Sequence, residues 1–163
     1  DFRENASALY GARGFFVNTR VSNHGLQQRF NFCPVPFWTA GAAWLAHYYF
    51  DYYSYTQDAA FLRDRALPFM REALEFYSDF LTEDADGRLH FNPSFSPENT
   101  PANGDSIATV DATMDIAAVR ELAGNYLTAC SALGVADPVA EDWRTRMQRL
   151  PDYLANEEGA LKE

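Results

Sequence analysis

The chain has 163 residues, 47% of them hydrophobic and 15% aromatic, so it can close one ordinary core, and general disorder is excluded. Its 23 acidic side chains outnumber 13 basic ones for a formal net charge of −10, which argues against nucleic acid and anionic membrane as partners. An acidic, aromatic-rich protein suits a neutral, hydroxyl-rich ligand such as a sugar.

Cys33 and Cys130 form no metal-ligand spacing with His24, His47 and His90; separately, no organic cofactor is implied. The two cysteines either pair across the fold or serve as small buried hydrophobes. No signal peptide is visible, and no run is long and apolar enough to cross a bilayer. The chain opens on Asp1 and stops within the charged stretch Glu157 to Glu163, so both ends read as cut.

Asp1 to Tyr10 reads as the last turns of a helix stopped by Gly11. Gly11-Ala12-Arg13-Gly14 is a turn, and the apolar run Phe15 to Val17 is extended. Asn18 to Pro36 has no helical period and reads as a long loop. Thr39 is the predicted N-cap of a helix running to about Tyr55. Its segment from Ala40 to Phe50 is apolar nearly all round, which predicts an inner helix buried on every side.

Asp58 is the predicted cap of a short helix reaching about Arg65, which Pro68 interrupts or restarts. In the next helix Phe69, Met70, Ala73, Tyr77, Phe80 and Leu81 share one face, while Arg71, Glu72, Glu75 and Asp79 face away. An all-apolar helix followed by an amphipathic one is the unit of a two-layered helical barrel. The turn Glu83 to Gly87, ending in Asp-Gly, predicts a short β-hairpin, with Leu89, Phe91 and Phe95 alternating beyond it.

Ser94-Phe95-Ser96-Pro97-Glu98-Asn99-Thr100-Pro101 follows as a stiff loop. Its two prolines restrict their own φ and that of the residue before each, so Glu98 is held out of any helix. Phe95 nearby can desolvate that carboxylate and keep it protonated for general-acid work; the plainer reading is a solvated surface glutamate. A helix from about Thr113 to Leu133 carries Val119, Leu122, Ala123, Tyr126, Cys130 and Leu133 on one face and is stopped by Gly134. Asp137-Pro138 opens another that ends before Pro151, and Glu158-Gly159 is a last turn. No repeat period is present.

These residues resemble a known family. Gly11-Ala12-Arg13-Gly14, Ala43-Trp44-Leu45 continuing to Tyr53 and Thr56-x-Asp58, Phe61-Leu62, Pro68 and Phe76 match its pattern. So do Ser96-Pro97-Glu98-Asn99, Thr113-Met114-Asp115 and Arg120-Glu121-Leu122. Together they resemble the catalytic domain of glycoside hydrolase family 95, the inverting α-L-fucosidases, within the six-hairpin (α/α)6 glycosidases. The Tyr-x-x-Thr-x-Asp piece is shared by several six-hairpin families; Ser-Pro-Glu-Asn with Thr-Met-Asp at this spacing is the specific signal.

The resemblance implies a mainly α fold, residues 1–163 being a section of an (α/α)6 barrel with a short β-hairpin before the catalytic loop. It implies cleavage of a terminal α-L-fucoside or α-L-galactoside in an oligosaccharide or glycoconjugate, with inversion. It places Glu98 as the general acid and Trp44, Asn18, Asn99 and Asp115 around the sugar, with a secreted or periplasmic location expected. Trp44 either stacks on a sugar ring or is a core aromatic. Asp115 contacts substrate, braces the acid loop, or stabilises its helix N-terminus through the macrodipole.

Where the family carries His-His-Asn-Thr, this chain has Phe16-Val17-Asn18-Thr19. An inverting enzyme also needs a second carboxylate about 6.5–9.5 Å from the acid. The resemblance puts that base downstream of Glu163 and an Asn-x-Asn pair upstream of Asp1, so the remainder of the parent domain is the expected partner and the isolated chain is expected to be inactive. Asp111 and Asp115 are the alternatives for that base within this chain, though both follow the acid closely. Two other readings are a non-catalytic carbohydrate-binding relative and a helical protein-interaction scaffold.

Overall fold

The computed structural model describes residues 2–17, 19, 38–101 and 104–162. The described residues are mainly helical. They comprise α1 (Phe2–Tyr10), α2 (Gly41–Thr56), α3 (Ala59–Phe61), α4 (Leu67–Phe80), β1 (Thr82–Glu83), β2 (Leu89–His90), α5 (Thr113–Leu133) and α6 (Pro138–Arg146). Helices α2, α4 and α5 pack pairwise, and α6 lies on α4 and α5. Between them sits a core whose largest fully buried side chains include Trp143, Tyr77, Tyr126, Phe16 and Phe76. The Trp143 indole also donates to Ser78 Oγ at 3.0 Å, so its one polar atom is satisfied in the interior.

Several helix ends follow local chemistry. Asp58 caps α3, its Oδ1 accepting from the amides of Ala60 and Phe61 at 3.0 Å. Asp137 caps α6 by accepting from Val139 N at 2.8 Å, with Pro138 in the first turn. Gly134 ends α5 in the left-handed region at φ 63°, where a glycine has no Cβ to crowd the backbone.

Two expectations change, and one open choice is resolved. Thr39 does not cap α2: Ala40 occupies the N-cap position and makes no side-chain cap bond. Thr39 instead accepts the Tyr77 hydroxyl at its carbonyl, 2.6 Å, tying the start of α2 to α4. Of the two alternatives at Pro68 the structure takes the restart, with the proline in the first turn of α4. A π-helical turn, Leu62–Ala66, joins α3 to α4, and Leu67 N–H donates to Leu62 O five residues back. The widened turn carries the proline ring and its missing N–H through without a stop. Nor is α2 buried on all sides. Ala42, Ala43 and Ala46 are buried, while Trp44, Leu45, Tyr48, Tyr52 and Tyr55 are exposed. Apolar composition predicted total burial; in the structure the small-residue face meets α4 and α5, and Tyr49 stacks on Phe69 of α4 with centroids 4.5 Å apart.

The charged face of α4 is tied across the fold. Arg3 makes a two-point contact with Glu72, Arg71 reaches both Glu75 and Asp137, and Arg13 grips Asp79 through Nε and Nη2, each at 2.8 Å. The Arg13 amide adds a third bond to Asp79, and this guanidinium contact holds the Asp79 carboxyl below its usual range. The Gly11–Gly14 turn is thereby fastened to α4. Phe15, Phe16 and Val17 follow it into the core without joining a sheet.

The hairpin forms as predicted, with Thr82 opposite His90 and Glu83 opposite Leu89. Its turn is organised by Asp84, whose Oδ1 accepts from Asp86 N and Arg88 N. Leu89 of β2 and, beyond it, Phe91 and Phe95 are all buried. The segment after α6 is held by Arg120, which donates to the carbonyls of Met147, Leu150 and Pro151.

Candidate active site

The loop carrying Glu98 is pinned at its stem. Ser94 and Thr109 form an antiparallel bridge, each amide donating to the other carbonyl at 2.8 Å. The Ser94 hydroxyl donates to Asp115 Oδ2 at 2.5 Å and accepts from Ala112 N at 2.9 Å. The Phe95 amide points at the same Asp115 oxygen at 3.4 Å. Phe95 packs with Trp38 and Ala40 in a small cluster completed by Ile107, Met114 and Ala118. At the tip, Asn99 N donates to Ser96 O at 2.8 Å and closes the turn that holds Glu98.

This stem buries Ser94, Phe95 and Ser96, while Glu98 and Asn99 are exposed. Phe95 therefore serves the loop as an anchor and does not cover the Glu98 carboxylate. Asp115 lies at the start of α5 and is fully buried. Burial pushes its carboxyl up to about 6, against the opposing pull of the Ser94 hydroxyl and Phe95 amide. Its second oxygen, Oδ1, meets no hydrogen-bond partner among the described residues. The Asp115 side chain thus faces the loop stem and is closed to a ligand at the surface. Asp111 is also engaged, Oδ1 accepting from Phe91 N at 2.7 Å and Oδ2 meeting His90 Nδ1 at 2.6 Å. Neither aspartate is free in this arrangement to activate a water.

Trp44 is 46% exposed and lines a groove of about 300 Å³ between α2 and α5 with Ala43, His47, Met114, Ala117, Ala118 and Glu121. It meets Trp38 edge to face, centroids 5.8 Å apart, so the groove wall and the acid-loop anchor share the Trp38–Met114–Ala118 cluster. The indole of Trp44 donates to Tyr48 OH at 3.3 Å. Asn18 lies outside the described residues, as do His24 and Cys33. Cys130 is free and buried.

Sequence reading missed His47. Its Nδ1 meets Glu121 Oε1 at 2.6 Å and its Nε2 meets Asp51 Oδ2 at 3.0 Å, and Glu121 with Asp51 holds the imidazole above its usual range. Asp51 sits one helical turn on and was open to inspection; Glu121, 74 residues away, gave no local signal. Ser94 stood in the loop motif, but nothing in the motif shows that its hydroxyl faces Asp115. Among the described residues no group of three or more His, Cys, Asp or Glu side chains can hold a metal ion. No described helix is long and apolar enough to cross a membrane.

A second charged cluster lies at the foot of the loop. His90 is held between Asp111, the stronger influence, and Asp84 at 3.1 Å; both raise its pKa, and the bond from His90 lowers that of Asp84. Arg88, Asp152 and Lys162 line the adjoining cavity. Because the folded pKa of His90 exceeds the unfolded one, its contribution is complete below about 6.5 and is lost as pH rises through the folded value. The Asp84 contribution has the opposite sense, present above about 3.9 and lost as pH falls. The amide protection factor of Phe91, which Asp111 holds, is therefore expected to fall between pH 6 and pH 8, and His90→Gln is expected to flatten that change. An unchanged slope in the variant would show that His90 does not couple to this amide.

The helical scaffold thus carries an exposed carboxylate on a stiff loop near an aromatic-walled groove. The match to a family is direct: the family model described as "Glycosyl hydrolase family 95 catalytic domain" covers residues 1–163, and the chain belongs to that family. It is 30% identical over 130 residues to alpha-L-fucosidase 2 of Arabidopsis thaliana, covering 77% of this chain and 15% of that protein. It is also 30% identical over 102 residues to probable alpha-fucosidase A of Aspergillus niger, covering 60% of this chain and 13% of that protein. The chain thus spans well under two thirds of the length of either relative.

Proposed function

We propose that the parent protein is an inverting glycosidase that removes a terminal α-L-fucose or α-L-galactose, with Glu98 donating the proton to the departing oxygen. The observation that carries this reading is the presentation of Glu98. In a chain of this family, an exposed carboxylate tops a loop whose stem is buried and bonded to α5. A general acid needs such placement, because the proton must lie within hydrogen-bond reach of the glycosidic oxygen.

Trp44 offers an indole face to the sugar's C–H surface from the groove beside the loop, and Asn18 and Asn99 supply polar edges. Asp115 serves the site from behind the loop. The family resemblance assigns the general base to a part of the parent domain outside these residues, and Asp111 and Asp115 are both committed elsewhere. These residues form one section of an (α/α)6 barrel, and the exposed tyrosines of α2, Tyr48, Tyr52 and Tyr55, pack on neighbouring helices of that barrel.

The test uses the intact parent protein on aryl α-L-fucosides, α-L-galactosides and other aryl glycosides, with proton NMR following the first anomer released. Release of the β-sugar from an α-L-fucoside or α-L-galactoside is the expected result. Release of the α-anomer overturns the inverting mechanism. Binding without turnover moves the protein to the class of carbohydrate-binding relatives, a reading to which Phe16 and Val17, both buried where the family carries two histidines, would then contribute.

A further inference from the structure

We propose that Asp115 and Ser94 act together as a positioning pair, setting the placement of Glu98 from behind the loop without touching substrate. The inference rests on Glu98 being the general acid. Four contacts converge on the pair: Ser94 Oγ to Asp115 Oδ2, Phe95 N to the same oxygen, Ala112 N to Ser94 Oγ, and the two-way Ser94–Thr109 bridge. Ser94 and Asp115 are each fully buried, so no water competes for these bonds. The hydroxyl is used as donor and acceptor at once, which fixes its rotor and links the start of α5 to the start of the loop. From Ser94 the chain needs four residues to reach Glu98, and Asn99 N to Ser96 O closes that interval. A shift of the stem is therefore passed to the carboxylate with little slack.

The use of a charged acceptor is itself informative. A buried carboxylate is costly to hold, and one oxygen of Asp115 goes unpaired among the described residues. A neutral side chain would anchor a merely structural turn at lower cost. The carboxylate gives a shorter and stronger bond to the hydroxyl than an amide does, and that suits a loop whose tip must hold its place. The ionisable side chains facing Asp115 electrostatically are Tyr10 of α1, pushed up to about 12 by burial and then by Asp115, and Tyr77 of α4, raised by the same two causes. Both are neutral across the working range, so no cation offsets the Asp115 charge from those elements.

The experiment is a double-variant cycle in the intact parent protein, crossing Asp115→Ala and Ser94→Ala with Glu98→Gln. Each is assayed on an α-L-fucoside with a poor leaving group and on one with an activated aryl leaving group. A displaced catalytic group of this kind costs about 10–10²-fold in turnover. Asp115→Ala and Ser94→Ala are expected to lose that much kcat on the poor leaving group, with KM little changed and much less lost on the activated one. Asp115→Asn, which keeps an acceptor for Ser94, is expected to recover part of the loss.

In the Glu98→Gln background the further loss from either substitution is expected to vanish, because the pair acts through Glu98. The ratio of the two substrates within one sample is independent of the fraction folded, so partial unfolding of Asp115→Ala leaves the test intact. Full additivity with Glu98→Gln, or equal losses on both substrates, overturns the positioning role while leaving Glu98 as the acid. If Glu98→Gln alone costs nothing, the acid assignment fails, and the positioning pair fails with it.

Discussion

In the intact parent protein, Glu98→Gln is expected to lower turnover of glycosides with natural, poorly departing leaving groups by about 10²–10⁴-fold. The amide has nearly the shape of the carboxylic acid and cannot give up a proton, so the substitution isolates proton donation from packing. Glu98 is exposed and takes no part in the bonds that hold the loop stem, so its replacement leaves Ser94, Phe95 and Asp115 as they are. A leaving group that departs as a stable anion needs no proton, and its cleavage is expected to survive the change largely intact. Equal turnover by variant and wild type on both kinds of leaving group would reduce Glu98 to a solvated surface residue.

Gly14→Ala is expected to destabilise the fold by about 2–5 kcal/mol, combining the cost of a left-handed backbone for an L-residue with that of overpacking. Gly14 has φ 62°, and a Cβ built there lies 2.0 Å from the Glu72 carbonyl oxygen and 2.8 Å from the Phe76 amide nitrogen. Both are backbone atoms of α4, so no side chain can swing aside. The loop would have to lift, and lifting it pulls against the Arg13–Asp79 contact and against Phe15, Phe16 and Val17 in the core. Denaturant midpoints of wild type and variant measure the loss. A change below about 1 kcal/mol would mean that the turn relaxes outward freely, since a compatible Gly→Ala change has effects of that size.

The readable parts of this fold were those whose causes lie within a few residues. Asp58 and Asp137 cap what they precede, Gly134 stops α5, and the turn before Leu89 folds a hairpin because Asp84 and Gly87 suit it. The loop nature of Glu98 followed from two flanking prolines. Reading failed where the deciding partner is far along the chain. Thr39 looked like a cap because the sequence cannot show that its carbonyl is taken by Tyr77. Pro68 left interruption and restart both open because a π-helical turn has no residue signature. The apolar run of α2 predicted burial, but composition does not say which faces find a neighbour. In the site, the loop and Glu98 were legible, whereas the His47–Glu121 contact and the turning of Asp115 toward Ser94 depend on how α2, α5 and the loop are brought together.

The hydrogen bonds that anchor the Glu98 loop come from its own neighbourhood, while Trp38 and Ala40 pack on Phe95 from farther back in the chain. Ser94 and Asp115 are 21 residues apart, and Thr109, Ala112, Met114 and Ala118 lie within or just beyond that interval. Closing so short a span costs little chain entropy, and that cost grows only slowly with added length. The hydrogen-bonded clasp from Ser94 to Asp115 is thus closed over a short span. Insertions between Glu98 and Pro101 fall outside the residues that form it. Length and sequence at the tip of the loop can therefore vary while Ser94, Thr109 and Asp115 keep their bonds.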